Sequence, residues 1–227
     1  MASTGTRRGR LPAAERATRR AAVLDAALAE LVEHGWPGVT MLGVARRAQA
    51  SKETLYAWFG SREGLMEALV ERNADQTAHH LRQALDHDAD PVDVLVQYAQ
   101  GLLSLLVSAG SVALNRAAAG SPDLAAVLLR AGRHRVGPVV EQYLARLHAR
   151  GVLDAPDAAA AFRLLYGLTV QDTQIRVLLG EPPPPPDVIA ARSREAVTRF
   201  LLLSPGPQTG ASTGMPSSRA ASASSVS

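Results

Sequence analysis

The chain of 227 residues contains no cysteine, which excludes a disulfide framework and any thiolate metal site or nucleophile. Its function is therefore independent of the redox compartment. No run approaches the ~18 apolar residues of a membrane span, so no membrane partner is expected. Arg7-Arg8 is not followed by a leader-type hydrophobic region, because Asp25 and Glu30 interrupt the next apolar stretch; the expected address is the cytoplasm. A Gly-rich phosphate loop, a nucleophile elbow and an HExxH motif are all missing, so neither an enzyme nor a cofactor is expected. His79, His80 and His87 form no metal cluster on this reading, since adjacent histidines on a helix diverge by about 100°. Sustained β alternation and hairpin turn signals are also missing, which leaves an all-α fold.

Lysine is nearly missing too: Lys52 is the only one, and arginine supplies the remaining positive charge. The formal net charge is only +3, but Met1–Arg62 holds ten Arg or Lys against five Asp or Glu, while the rest holds fourteen against sixteen. This asymmetry places a nucleic-acid partner at the N-terminal end. The stretch Thr40–Leu65 reads as two short helices joined by a tight turn and followed by a third, the arrangement that lays one helix in a DNA major groove. Thr40 is the expected cap of the first, with Met41, Val44, Ala45 and Ala48 inward at i, i+3, i+4, i+7 and Arg46 and Arg47 outward. After Gln49-Ala50, Ser51 caps a helix with Leu55 and Phe59 inward, so Lys52, Glu53, Thr54, Ala57 and partly Tyr56 form the outward set. Ser61 opens the third helix, with Leu65, Ala68 and Leu69 inside.

Thr40, Val44-Ala45, Ala48, Ser51-Lys52, Thr54-Leu55-Tyr56, Phe59 and Ser61–Leu65 resemble the DNA-binding domain of TetR/AcrR-type transcriptional regulators over roughly Arg19–Val70. The resemblance implies a first helix over about 13–34, closed by Gly35, with Trp36 read as a packing aromatic. It also implies phosphate contacts from Thr40, Tyr56 and Arg62, with Arg46 on the same outer face. Lys52, Glu53 and Thr54 are placed at the start of the recognition helix, where they can address guanine, cytosine and a thymine methyl respectively. Trp58 can donate its indole N–H to phosphate, or pack. The chain departs from the family at Gln49, where Gly is usual and a positive φ costs a side-chain-bearing residue about 1 kcal/mol. Leu42 and Gly43 also depart: Gly43 removes the acidic residue that would complete a capping box with Thr40.

The rest of the chain reads as helices over about 62–85, 91–108, 112–119, 122–150 with a bend near 133–138, 157–179 and 187–203. The C-terminal half, with the segment 144–180, loosely resembles the AefR-type ligand-binding subset. The TetR-type resemblance implies a homodimer built on the last two helices through Leu164, Leu168, Ile175, Leu178, Val197 and Phe200. Two reading helices on a two-fold axis would then span half-sites ~34 Å apart. An effector cavity between the helices at 91–108, 122–150 and 157–179 would be lined by Tyr98, Leu102, Leu106, Gln142, Tyr143, Phe162 and Tyr166, with Gln171 and Asp172 as further polar anchors. The resemblance further implies that a small molecule displaces the fourth helix, changes the separation of the two reading helices and releases the operator.

The organisation expected is a basic arm over 1–12 carrying Arg7, Arg8 and Arg10, a DNA-binding domain over 13–70, an effector and dimerisation domain over 71–203, and a disordered tail over 204–227. The function expected is a repressor that binds double-stranded operator DNA as a homodimer and is released by an unidentified small molecule. A sequence-tolerant architectural DNA-binding protein, and a helical small-molecule carrier with a degenerate helix-turn-helix, stay open on the residues alone.

Overall fold

The computed structural model describes residues 12–87 and 89–206; the arginines of the N-terminal arm and the tail beyond 206 lie outside them. The described residues are helical apart from short connections and one isolated antiparallel bridge between Leu153 and Pro205. No single helix is long and apolar enough to cross a membrane.

Helix α1 (Ala13–Gly38) turns Val23, Leu24, Ala27 and Leu31 inward and is interrupted at Gly35, which stands at φ 64°, ψ 174°. Helices α2 (Met41–Arg47), α3 (Lys52–Phe59) and α4 (Arg62–Thr77) are each opened by a side-chain cap. Thr40, Ser51 and Ser61 accept from the backbone N–H three residues on, at 3.0, 3.1 and 3.1 Å, which satisfies a donor the helix leaves unpaired. Between α2 and α3, Gln49 adopts φ 52°. Its N–H donates to Arg46 O, and the Ala50 N–H to Ala45 O at 2.9 Å, so the turn is a Schellman closure with glutamine in the position that glycine usually fills.

The expected fourth helix divides at Ala78 into α4 and α5 (His79–Asp86). Asp90 caps α6 (Pro91–Leu106), and a bend at Val107 and Ser108 leads into α7 (Ala109–Ala119), which begins three residues earlier than its sequence suggests. Helix α8 (Pro122–Leu128) runs through one π-helical turn (Leu129–Arg133) into α9 (His134–Ala149). The irregularity thus falls upstream of Pro138, which α9 accommodates near its start. The helix expected over 157–179 is two helices, α10 (Ala158–Val170) and α11 (Thr173–Leu178), separated where Gln171 takes φ 47°, ψ −130°. Helix α12 (Pro186–Leu203) closes the bundle against α6 and α10.

Two large cores result. One gathers the inner faces of α1 to α4 but continues into Leu114 and Ala118 of α7, Leu124 of α8 and Ala131 of the π turn. The other joins α5, α6, α9, α10 and α12 around Tyr98, Leu144, Leu165, Val197 and Phe200. Helix α4 belongs to both, with Leu65 to Val70 in the first and Ala74 in the second. Val197 and Phe200, expected at an interface between copies, are fully buried within the chain. They face α6 and α10 instead, because the apolar stripe of α12 is used up in closing its own bundle.

Candidate nucleic-acid interface and ligand cavity

Helix α3 is anchored by Leu55 and Phe59, both buried, and this fixes which residues point outward. Lys52, Glu53 and Ala57 are exposed, and Tyr56 is 46 % exposed. The Lys52 ammonium lies 5.6 Å from the centre of the Tyr56 ring, which holds a flexible side chain beside an aromatic face. Thr54 is half-buried, its hydroxyl 2.9 Å from that of Ser51. Thr40 and Arg46 are exposed as well. The exposed members of this set give the motif a polar, donor-bearing surface, which suits phosphate and base edges.

Two expected members of this surface are committed elsewhere. The Arg62 guanidinium stacks 3.9 Å from the Trp36 ring centre and donates to the carbonyls of Trp36 and Val39 at 3.3 and 3.4 Å. Its donors close the loop between α1 and α2. Trp58 is half-buried, packed against the core and edge-on to Phe59 at 6.2 Å.

Arg47, read as solvent-facing, is also tied down. Its Nε donates to Glu30 at 2.6 Å, and a second nitrogen pairs with Glu33. The Arg47 hydrogen bond holds the Glu33 carboxyl below the usual carboxylate range. Glu30 is 7 % exposed and occupies the space that Gly43 leaves: a Cβ there would lie 2.9 Å from Glu30 Oε2. Glycine at 43 thus exchanges a capping-box carboxylate on α2 itself for one reaching across from α1. Sequence offers one faint signal, an acid on the inner stripe of α1.

Behind these helices, α4, α6, α7, the π turn and α10 enclose a cavity of ≈ 220 Å³. Tyr98, Leu102, Leu106, Phe162 and Tyr166 line it as expected. The other expected residues do not: Gln142 is on the outer face of α9, Tyr143 is buried in the core beside it, and Gln171 and Asp172 are exposed at the α10–α11 break. The reason is the helical period, which turns Gln142 outward once Tyr143 and Leu144 are inward, and the break, which carries 171 and 172 off the α10 face.

Sequence reasoning missed Asn73, Thr77, Asn115, Arg133 and Gln174, all in the wall. The Arg133 guanidinium carbon stands 4.7 Å from the ring centre of Tyr166 and 5.3 Å from that of Phe162. The Tyr98 hydroxyl is buried without a hydrogen-bond partner among the described residues, and burial pushes its pKa above the ordinary phenol value. Burial likewise raises Tyr166.

Large apolar side chains are exposed on α10, α11 and α12. Leu164, Ile175, Leu179, Leu202 and Leu203 are 36, 53, 81, 73 and 63 % exposed, while Leu168 and Leu178 are half-buried.

Comparison with known proteins agrees with this geometry. Residues 23–69 match the bacterial regulatory proteins of the tetR family, and residues 93–203 match the C-terminal domain of AefR-like transcriptional repressors. The HTH-type transcriptional regulator AlkX of Mycobacterium tuberculosis is 40% identical over 79 residues, 34% of this chain and 37% of that protein. The HTH-type transcriptional repressor ComR of Escherichia coli is 27% identical over 139 residues, 58% of this chain and 66% of the relative. The chain thus spans between about a third and two thirds of the length of these curated relatives. A TetR transcriptional regulator from Agrobacterium tumefaciens, solved by crystallography, is 37% identical with a TM-score of 0.65, covering 82% of this chain and 94% of its own. With its helix-turn-helix, its two matched regions and a relative aligned over nearly its whole length, the chain belongs to the TetR family of DNA-binding transcriptional regulators.

Proposed function

We propose that the protein is a ligand-responsive repressor that binds a palindromic operator as a homodimer in the cytoplasm and is released by a small molecule. In this reading residues 13–70 read DNA and residues 71–203 bind the effector and the second copy. The observation that carries it is the path of α4, which begins in the helix-turn-helix core and ends as a cavity wall through Asn73, Ala74 and Thr77. Arg130 pairs with Glu67 at 2.7 Å, and Arg135 with Glu71 and Asp75 at 3.5 and 3.1 Å. A shift of the π turn or of α9 therefore moves α4, and a coupling of about 1–3 kcal/mol is enough for regulation.

Lys52, Glu53, Thr54 and Tyr56 carry the base and groove contacts, while Thr40 and Arg46 carry phosphate contacts. Arg62 and Trp58 act by holding the loop and helix beneath them. The second copy docks on Leu164, Leu168, Ile175 and Leu178, joined by Leu179, Leu202 and Leu203; burying such a patch removes large apolar area from water. The repressor sense is supported by the AefR-like match and by ComR.

The test is to select bound fragments from the source genome and measure their affinity by fluorescence anisotropy against random duplex. Preference for the selected fragment, dimer-sized complexes, and weaker binding by Lys52→Ala are expected. Equal affinity for both duplexes would instead indicate a sequence-tolerant architectural protein, and no DNA binding at low salt a small-molecule carrier.

A further inference from the structure

Resting on the effector reading above, we propose that the cavity takes a small monocarboxylate with an apolar body, its carboxylate held by Arg133 and Tyr98 and its body lying among Leu102, Leu106 and Val136. Four features of the wall lead there. The first is the Tyr98 hydroxyl, on a side chain 1 % exposed and without a partner among the described residues. A buried hydroxyl is rarely left unpaired, and burial keeps this phenol protonated, so what it lacks is an acceptor.

The second is Arg133. It reaches across the edge-to-face pair of Phe162 and Tyr166, and no carboxylate of the described residues pairs with it, whereas Arg130 and Arg135 on either side both bind acids of α4. A guanidinium lying over two rings, with one donor directed to the Tyr166 hydroxyl, still has donors left for a planar two-oxygen acceptor. The third is what the wall lacks: among the described residues no Asp, Glu or His lines the cavity, and Arg133 is the only charge in it. A cationic ligand would meet repulsion with nothing to neutralise it, and the ring faces that could have held it already carry Arg133.

The fourth is size. A volume of ≈ 220 Å³ lies below the ~300–1,000 Å³ of sites for drug-sized ligands. The site also has a direct line to α4. Arg133 ends the π turn, in which Gly132 abuts Val70, its Cβ position 3.3 Å from Val70 Cγ1, and Arg130 holds Glu67. A carboxylate drawing on Arg133 pulls on the turn that braces the helix carrying the DNA-binding motif.

Octanoate, 1-octanol and octylammonium share one chain length and differ in the charge of the head group. Calorimetric titration of the full chain with each, beside operator release followed by anisotropy, tests the proposal. Octanoate is expected to bind about tenfold or more tightly than 1-octanol, a difference typical of an added charge-assisted hydrogen-bonded pair, and octylammonium to bind most weakly. Arg133→Gln should erase the preference of octanoate over octanol while leaving octanol binding intact, a result that loss of folding cannot mimic. Tyr98→Phe should weaken octanoate several-fold. Equal binding of all three probes, no binding of octanoate, or an unchanged preference in Arg133→Gln overturns the monocarboxylate assignment. Octanoate that binds with the expected preference but leaves operator affinity unchanged supports the assignment and removes the effector reading instead.

Discussion

In the N-terminal helices the polar side chains that shape the motif are paired with backbone or with one another; in the cavity wall Thr77 and Asn115 bond within their own helices, but the Tyr98 hydroxyl has no partner among the described residues. Thr40, Ser51 and Ser61 each close their own helix start, Arg47 is held by two glutamates, and Arg62 is held by an indole and two carbonyls. Around the cavity stand a phenol unpaired among the described residues, an arginine that no described carboxylate meets, and a π-helical turn. A surface that must match a groove gains from fixed side chains. A sensor gains from irregular backbone and unmet hydrogen bonds, since only a state that the ligand stabilises differently can respond to it. The contrast shows how one chain can be stiff where it reads and adjustable where it senses.

The largest effect that breaks the contrast is loss of the stiff side. Leu55→Ala removes a fully buried side chain from beneath α3 and is expected to cost about 2–5 kcal/mol in denaturant unfolding, with loss of DNA binding. Next comes the joint between the two halves. A Cβ on Gly110 would lie 2.5 Å from Leu28 Cδ1, so Gly110→Ala must turn Leu28 into another rotamer or part α7 from α1. Destabilisation of about 1–3 kcal/mol is expected, together with operator affinity that no longer follows effector binding in anisotropy titrations.

A smaller change sharpens the stiff side. Gln49→Gly relieves a side chain at φ 52° and should raise unfolding free energy by up to about 1 kcal/mol, with operator affinity unchanged. The smallest concerns the brace on α4. The hydrogen bond from Arg135 holds the Asp75 carboxyl below its ordinary value of 3.8. The stability from a depressed carboxylate is present above that value and lost as pH falls through the lower folded-state pKa. Because Asp75 is 43 % exposed, Asp75→Asn should cost no more than about 0.5 kcal/mol at neutral pH. Below pH 3.8 the difference between variant and parent should shrink toward zero in paired melting curves.

How far each feature was legible follows from the reach of the interaction behind it. Caps at Thr40, Ser51, Ser61 and Asp90 bond within three residues of themselves, so residue type and spacing reveal them. Tyr98, Leu102, Leu106, Phe162 and Tyr166 lie on stripes that any bundle would turn inward. The role of Gly43 was hidden because its partner, Glu30, comes from another helix. Arg133 was passed over for a similar reason: an arginine at an expected bend reads as surface, and only the packing of α9 on α10 brings it over two rings. Val197 and Phe200 illustrate the opposite error, in which a correct apolar stripe was given the wrong neighbour.

Periodicity, caps and turn residues, acting over a few positions along the chain, were enough to determine an all-helical protein, its helix-turn-helix, and the side of α3 that faces outward. Which buried face meets which, where an arginine finds a ring instead of an acid, and how much empty space remains among the leucines were decided only when distant segments packed. Burial is non-directional and specifies that a face must be covered; the closeness of packing then selects what covers it.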